Sequence, residues 1–228
     1  MSVGIRQRSR SIAKLSAANH ITYVRHPQRA IATIAGGLVV LGICMLIAAD
    51  GDVGDIERPV FDAVNGLPDT LQAPMWIFQL VGLIGVAAVA AAATFALGYR
   101  RLGGALALAI PLKLAMEWWV VKAIVERERP EFTVPGANIR SDASALLGFP
   151  SGHAVFAFAL AGLLAPYLGR RWKIVVYLLA VMNSVARVYL GAHNPLDVVA
   201  GAGLGVAIAA VLNLAVGAPI RHVGSTGS

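Results

Sequence analysis

Three short stretches of this 228-residue chain carry side chains suited to handling an anion and moving a proton. The first is Lys122-x6-Arg129-Pro130, the second Pro150-Ser151-Gly152-His153, and the third Arg187-x5-His193-x3-Asp197. An arginine offers a planar fork that matches the oxygens of a phosphate, and a lysine supplies a compact point charge. Lys122 and Arg129 are seven residues apart, so a helix continuing through both would set them on one face, with Pro130 marking where it stops. Two such cations at a membrane surface also suit lipid headgroups, which leaves that reading open for this pair alone.

Pro150-Ser151-Gly152-His153 stands at the start of an apolar run. The free N–H groups and partial positive charge of a helix N-terminus suit an anion. Gly152 lets backbone approach a ligand, and Ser151 serves either as an N-cap or as a donor to a phosphate oxygen. His153 in the first turn is placed to pass a proton to a leaving group. His193 and Asp197 fall at i and i+4 on one helical face, so the carboxylate is positioned to fix the imidazole tautomer and leave the other nitrogen as a free lone pair. A plain capping pair is the alternative, because Asn194-Pro195 reads as a helix start.

The elements that must position these groups are membrane spans. Hydrophobic residues make up 57% of the chain and charged residues 14%, too few charges to cover a soluble domain of this length. Stretches of about 20 apolar residues recur, as spanning helices require. The expected fold is all-α, a six-transmembrane-helix bundle with spans near 30–49, 75–98, 103–124, 152–169, 174–192 and 196–217. Residues 1–29 are expected to be a basic tail or interfacial helix, 30–217 the functional domain, and 218–228 a flexible tail. No cleavable signal peptide is evident, since the first apolar run begins near Ala30. Lys113, Glu117 and Lys122 interrupt the third span, and Lys113 with Glu117 at i, i+4 are expected to pair inside the bundle.

Arg6, Arg8, Arg10, Lys14, Arg25 and Arg29 precede the first span, Arg100 and Arg101 follow the second, Arg170, Arg171 and Lys173 follow the fourth, and Arg221 follows the sixth. With six spans these all fall on one side, which the positive-inside tendency makes cytoplasmic, so both termini are expected there. The acidic segment 50–74 and the three clusters then share the outer face. Lys122, Arg127, Arg129 and Arg140 on that face run against the orientation bias, and anion binding is the simplest purpose for them. The net charge of +7 is thus spent on topology and on this site, and nucleic-acid binding is not expected. Cys44 is the one cysteine, so no intrachain disulfide forms. No Asp/Glu/His spacing suggests a metal, and no cofactor is expected.

Together the three clusters resemble the signature of the type 2 phosphatidic acid phosphatase superfamily: Lys-x6-Arg-Pro, Pro-Ser-Gly-His and Ser-Arg-x5-His-x3-Asp. The resemblance covers 122–197 in the family's order and implies its integral-membrane branch. It implies that His193 attacks phosphorus and forms a phosphohistidine, that Asp197 orients His193, and that His153 protonates the leaving oxygen and then activates water. Lys122, Arg129, Ser151, Gly152 and Arg187 would hold the phosphate without a metal. One departure is Ala186 where the family has serine, with Ser184 as the nearest replacement donor. The implied substrate is a lipid phosphate monoester or diphosphate (phosphatidate, phosphatidylglycerophosphate or a polyprenyl carrier), taken from membrane lipid at the extracytoplasmic face of the cell (inner) membrane. A non-enzymatic lipid-phosphate carrier or flippase, or an envelope assembly protein, would use the same basic pocket without turnover. The six spans and short loops disfavour a haloperoxidase.

Overall fold

Alternating long apolar runs and short charged loops give an almost wholly helical chain. The computed structural model describes residues 22–141 and 146–219. Its frame consists of α1 (Pro27–Ile47), α2 (Glu57–Asn65), α3 (Gln72–Gln79), α4 (Ile84–Ala96), α5 (Arg100–Ile124), α6 (Gly152–Leu164), α7 (Arg170–Tyr189) and α8 (Pro195–Val216). Of these, α1, α5, α7 and α8 are long and apolar enough to cross a membrane. Their outward side chains, such as Ile43 and Leu46 of α1 and Val181 of α7, are exposed, as lipid-facing residues must be.

Two of the six expected spans are not single long helices. The second predicted span, 75–98, is a bent pair: Asp69–Gly82 and Ile84–Ala96 meet at 55°. Leu83 leaves the helical region (φ −75°, ψ 141°), which frees the carbonyls of the preceding turn. The side chain of Asn183 on α7 donates to two of them, Phe78 O at 3.2 Å and Gln79 O at 2.9 Å, so the break is satisfied from inside the bundle. The fourth predicted span is the shorter α6 with a 3₁₀ turn, Ala165–Tyr167, behind it. Among the described residues there are therefore four candidate spans, or five if the bent pair counts as one.

Helix α8 is the hub. Its glycines let α1 and α6 approach closely. A Cβ on Gly37 would stand 2.5 Å from Gly203 O, and one on Gly205 only 2.4 Å from Val155 O. Without a hydrophobic drive between helices in lipid, such close packing is what associates them. The main apolar core gathers Leu41, Leu106, Val155, Leu163, Leu204 and Ile208 around this hub.

The described ends of the chain are tied together. Tyr23–Val24 pairs antiparallel with Ala218–Pro219, and α1 begins at Pro27 rather than at residue 30. Arg25 donates to Ala215 O (2.9 Å) and Arg101 to Val216 O (3.0 Å), satisfying orphan carbonyls at the end of α8. Residues 218–219, at the start of the expected C-terminal tail, are held by the paired strand. Most of the expected basic tail, and residues 220–228, lie outside the described residues.

Gly205→Ala is expected to destabilise the protein by about 1–3 kcal/mol, because the added methyl must push α6 off α8. Gly42→Ala on α1, with nothing within 4 Å of its Cβ position, is expected to stay within about 1 kcal/mol. Thermal unfolding of both variants in detergent measures the difference.

Candidate active site

Helix α5 brings the first cation to the end of the bundle in an unusual register. Met116–Val121 form a π-turn, with i→i+5 bonding. In α-helical register Glu117 and Lys122 would be roughly 140° apart around the axis, but the wider turn brings them to one side. Glu117 Oε1 lies 3.7 Å from Lys122 Nζ, and Glu117 Oε2 contacts Lys113 Nζ. The expected Lys113–Glu117 pair is present, and Lys122 extends it into a ladder of three charges. Lys122 Nζ also donates to Leu147 O (3.2 Å).

Lys122 and Arg129 do not share a helical face, as the spacing had suggested. The helix ends at Ile124 and Val125 is extended (φ −118°, ψ 97°). Arg129 is instead set by pairing of Glu128 with Leu147 and by its own N–H donating to Leu146 O. Its guanidinium donates to Ala192 O at 2.8 Å, and burial holds its pKa below the usual arginine value. Pro130 does not end a helix but opens the single turn Pro130–Thr133.

The second cluster starts α6. Ser151 occupies the N-cap position, yet its hydroxyl does not cap the helix and, among the described residues, is buried without a hydrogen-bond partner. Its N–H donates to Asp197 O at 2.9 Å, linking the second cluster to the third. A Cβ on Gly152 would lie 2.5 Å from Lys113 Nζ and 2.7 Å from Glu117 Oε2, so any larger residue there would displace the ends of the charged ladder. Gly82, in the break between α3 and α4, is packed as tightly against His153.

The third cluster spans the turn from α7 to α8. Arg187 Nη1 donates to Gln79 Oε1, which fixes the guanidinium from the broken α3–α4 pair. The N–H groups of Ala192 and His193 both donate to Arg187 O, and Gly191 supplies the positive φ (+68°) this turn needs. His193 is buried. Burial, with Arg187, Arg129 and Lys122 around it, pushes its pKa well below the usual histidine value, so the imidazole is neutral. His193 Nδ1 is 3.6 Å from Asp197 Oδ2, longer than a hydrogen bond. Asp197 is itself held: Oδ2 accepts Asn194 N–H at 2.8 Å and Oδ1 accepts Arg127 Nη1 at 3.3 Å.

Arg127 and Glu57 are the residues that motif spacing did not reveal. Arg127 is fully buried, and its guanidinium meets Glu57 (3.1 and 2.5 Å), Asp52 O (2.7 Å) and Asp197. Burial alone would lower its pKa, but the Glu57 and Asp197 carboxylates outweigh this and leave it raised. Glu57 Oε1 also accepts Leu196 N–H at 2.7 Å, in the first turn of α8. A weak signal was available: Glu57, Phe61 and Asn65 form an i, i+4, i+8 stripe, and all three are buried.

The reading of Arg127 and Arg140 as anion binders is corrected by the same geometry. Arg127 is used by carboxylates. Arg140 donates to Asn65 O and Tyr189 O, pairs with Asp69 and stacks on the Tyr189 ring, so it pins loops together. Ala186 is buried among Met75, Tyr189 and Leu190. Ser184 does not replace a missing hydroxyl, because it donates to Ala180 O and lines an apolar groove between α1, α7 and α8.

What remains is one cleft of about 620 Å³. Lys113, Lys122, Arg129, Arg187, Gly152, His153 and His193 line it, with Leu83, Ile84, Leu114 and Trp118 as its apolar part. Ser151 and Asp197 stand behind this lining. Four cations around two imidazoles can hold a tetrahedral anion and move a proton to and from it. Among the described residues, no group of three or more His, Cys, Asp or Glu side chains is placed to hold a metal ion.

Residues 98–221, more than half of the chain, match the family described as the PAP2 superfamily. The chain belongs to the PAP2 superfamily. A lipid A 4'-phosphatase of Bacteroides thetaiotaomicron is 49% identical over 59 residues, 25% of this PAP2 chain and 26% of that protein. A protein of Escherichia coli strain K12, provisionally named an undecaprenyl-diphosphatase, is 32% identical over 155 residues, covering 64% and 76% of the two chains. The PAP2 chain thus spans about a quarter of the first relative's length and three quarters of the second's. The crystal structure of Aquifex aeolicus LpxE has the same fold, with a TM-score of 0.60 at 22% identity over 70% of this chain and 95% of that one.

Arg127→Met is expected to cost about 3–5 kcal/mol, because it leaves Glu57 and Asp197 buried without their counter-charge. Thermal or denaturant unfolding in detergent should show the loss whether or not a ligand is present.

Proposed function

We propose that the protein is a membrane phosphatase that hydrolyses lipid phosphate monoesters or diphosphates through a phosphohistidine, with no metal. The observation that carries this reading is the convergence of His153, His193, Lys122, Arg129 and Arg187, from three separate stretches of chain, on one cleft that also holds Lys113, Glu117 and an apolar part. Phosphoryl transfer asks a protein mainly for positioning and for neutralisation of charge spread over three oxygens. Lys122, Arg129 and Arg187 supply that charge, and the Gly152 N–H at the start of α6 adds a donor. Beside that turn Ser151 has a buried hydroxyl that finds no partner among the described residues, and we assign it to a phosphate oxygen.

In the first step the free imidazole nitrogen of His193 bonds to phosphorus. The bond from phosphorus to the leaving oxygen breaks, and His153 gives that oxygen its proton. In the second step water loses a proton to His153 and attacks phosphorus, the nitrogen–phosphorus bond breaks, and inorganic phosphate leaves. Asp197 lies behind Nδ1 of His193 and balances the positive ring of the intermediate. The chain's relatives named above are phosphatases of lipid A and, provisionally, of undecaprenyl diphosphate, which supports a lipid substrate. The tails would remain in the bilayer past Leu83, Ile84 and Leu114 while the phosphate enters the cleft.

We place the site at the extracytoplasmic face of the cell membrane in a six-span frame, counting the bent α3–α4 pair and the short α6 as spans and setting both termini in the cytoplasm. The support is charge distribution: the basic segments at 25–29, 100–101 and 170–173 flank the opposite end of the bundle from the acidic 50–69 segment.

His193→Ala is expected to lower turnover by about 10⁴-fold or more and His153→Ala by about 10²–10⁴-fold, read as phosphate release from a panel of lipid phosphates in detergent. Substantial turnover in purified His193→Ala would remove the assigned nucleophile, and a wild type that binds these lipids but releases no phosphate would be a carrier.

The pH profile gives a second test. Because the pKa of His193 is depressed, its neutral form persists as pH falls, so the acidic limb of kcat/KM is expected below pH 6.5 once substrate ionisation near pH 6 is divided out. An acidic limb above pH 6.5 assigned to His193 would contradict the geometry.

A further inference from the structure

A second hollow, which shares no lining residue with the cleft, runs along α8 between α1 and α7. It measures about 600 Å³ and is walled by valines, among them Val40, Val181, Val185, Val199 and Val206. Its two hydroxyl side chains are spent on their own helices: Thr33 donates to Arg29 O (2.8 Å) and Ser184 to Ala180 O (3.3 Å). Neither donor is left to hold water, and hydrocarbon is the filling that such a hollow accepts. Its floor is made of small residues. Gly37 and Gly203 are needed where α1 meets α8, but Gly36 beside them is not, since a Cβ there would meet no protein atom within 4 Å. A glycine inside a helix costs about 1 kcal/mol against alanine, and contact between helices does not account for this one.

The groove leads to a charged end. Thr33 and Val206 also line a smaller hollow of about 230 Å³, which reaches His26, Arg29, Tyr177 and Asn213. Along α8 the two hollows extend from residue 195 to residue 214, a rise of roughly 28 Å, so a chain entering at the basic end stays on protein across most of the bilayer core. Charge at that end has one sign. The twelve Asp and Glu residues all lie between Asp50 and Asp197, and none falls in the segments that meet there, 22–34, 94–104, 164–175 and 210–219. Arg25 and Arg101 donate to carbonyls at the end of α8, whereas Arg29 is exposed and lines the smaller hollow.

We propose that these joined hollows bind an anionic phospholipid from the leaflet at the basic end of the bundle, with its phosphate at Arg29 and His26 and one acyl chain laid along α8 past Gly36. The lipid is held there and not hydrolysed. A cationic end that opens into a dry apolar furrow matches an anionic head on a hydrocarbon chain. A second copy of the chain fits less well, because an axis along the membrane normal would set its own Arg29 at the same depth, like charge against like. A seated chain fills the gap between α1 and α7 and so stabilises the bundle that carries Arg187.

The test titrates the full-length protein in detergent with phosphatidylglycerol or phosphatidylcholine of the same acyl chains, and measures bound lipid by native mass spectrometry and stability by thermal unfolding. One phosphatidylglycerol is expected to bind wild type at least about tenfold tighter than phosphatidylcholine and to raise the melting temperature. Arg29→Gln is expected to weaken phosphatidylglycerol about tenfold and bring the two lipids together, the effect of losing one charge-assisted contact. Gly36→Leu, whose side chain enters the groove, is expected to weaken both lipids at least about tenfold and to leave phosphate release unchanged. Free glycerol phosphate is expected not to displace the lipid, since it lacks the chain. Equal affinity of the two lipids for wild type, or binding indifferent to both variants, would overturn the proposal. Displacement by glycerol phosphate would also overturn it and move the lipid to the cleft, and a dimer that Gly36→Leu dissolves would give the groove to a second copy. Binding is measured without turnover, so the result stands apart from the phosphatase reading.

Discussion

A fully buried guanidinium holds the site together. Arg127 bridges Glu57, at the start of α2, and Asp197, in the first turn of α8. Burying two carboxylates at 0–6% exposure without a counter-charge would be costly. Both have further duties: Glu57 accepts the Leu196 N–H, and Asp197 accepts the Asn194 N–H while facing His193. The one ion network thus fixes three segments (the loop after α1, the chain after α5 and the entry to α8). Because Ser151 N–H donates to Asp197 O, it also sets where α6 begins. Buried ion pairs of this kind seldom add net stability over apolar packing, but they penalise every arrangement in which a partner is missing. Their value here is to specify a geometry that apolar helices sliding in lipid would not choose alone.

A second constraint acts along the helices. Four of the cleft's charges come from α5 and its continuation, which regular α-helical winding would scatter around the axis. The π-turn at Met116–Val121 and the break at Leu83 are both departures from ideal helix, and both face the cleft. Each has a local compensation: the Glu117 ladder in one case, the Asn183 side chain in the other. Irregular backbone at membrane depth is tolerated where it is covered by protein or lines a polar cavity.

These devices explain which parts of the molecule were legible in the sequence. The three clusters stood out because ionisable groups in an apolar chain are costly and few, so their spacing carried information. Residues Lys122, Arg129, Gly152, His153, Arg187 and His193 do line one cleft. The helix count was less legible, since hydropathy sums over a window and cannot see the 55° bend inside 69–96. Local spacing misled for Lys122 and Arg129, whose relation is decided by pairing of Glu128 with Leu147, a contact nineteen residues apart in the chain. Glu57, Gln79 and Arg127 were illegible for the same reason. Each matters only through a partner more than sixty residues away, and short motifs record no such distances. Arg127 and Arg140 show the converse, because a basic residue beside a basic site reads as part of it until its partners are known.

The electrostatics of the cleft follow from this division of the arginines and lysines. Arg127 and Arg140 are consumed by protein carboxylates and carbonyls, so they stiffen the walls and add little field inside. Of the cations that line the cleft, Arg187 is held by the neutral amide of Gln79, and Lys122 by backbone carbonyls and a carboxylate shared with Lys113. A neutral partner orients a cation without cancelling its charge. Burial, with the charges of Arg187, Arg129 and Lys122 added to it, depresses the pKa of His193 and keeps its lone pair available. The same arrangement that would draw an anion into the cleft therefore also keeps the buried imidazole in the only form that could attack it.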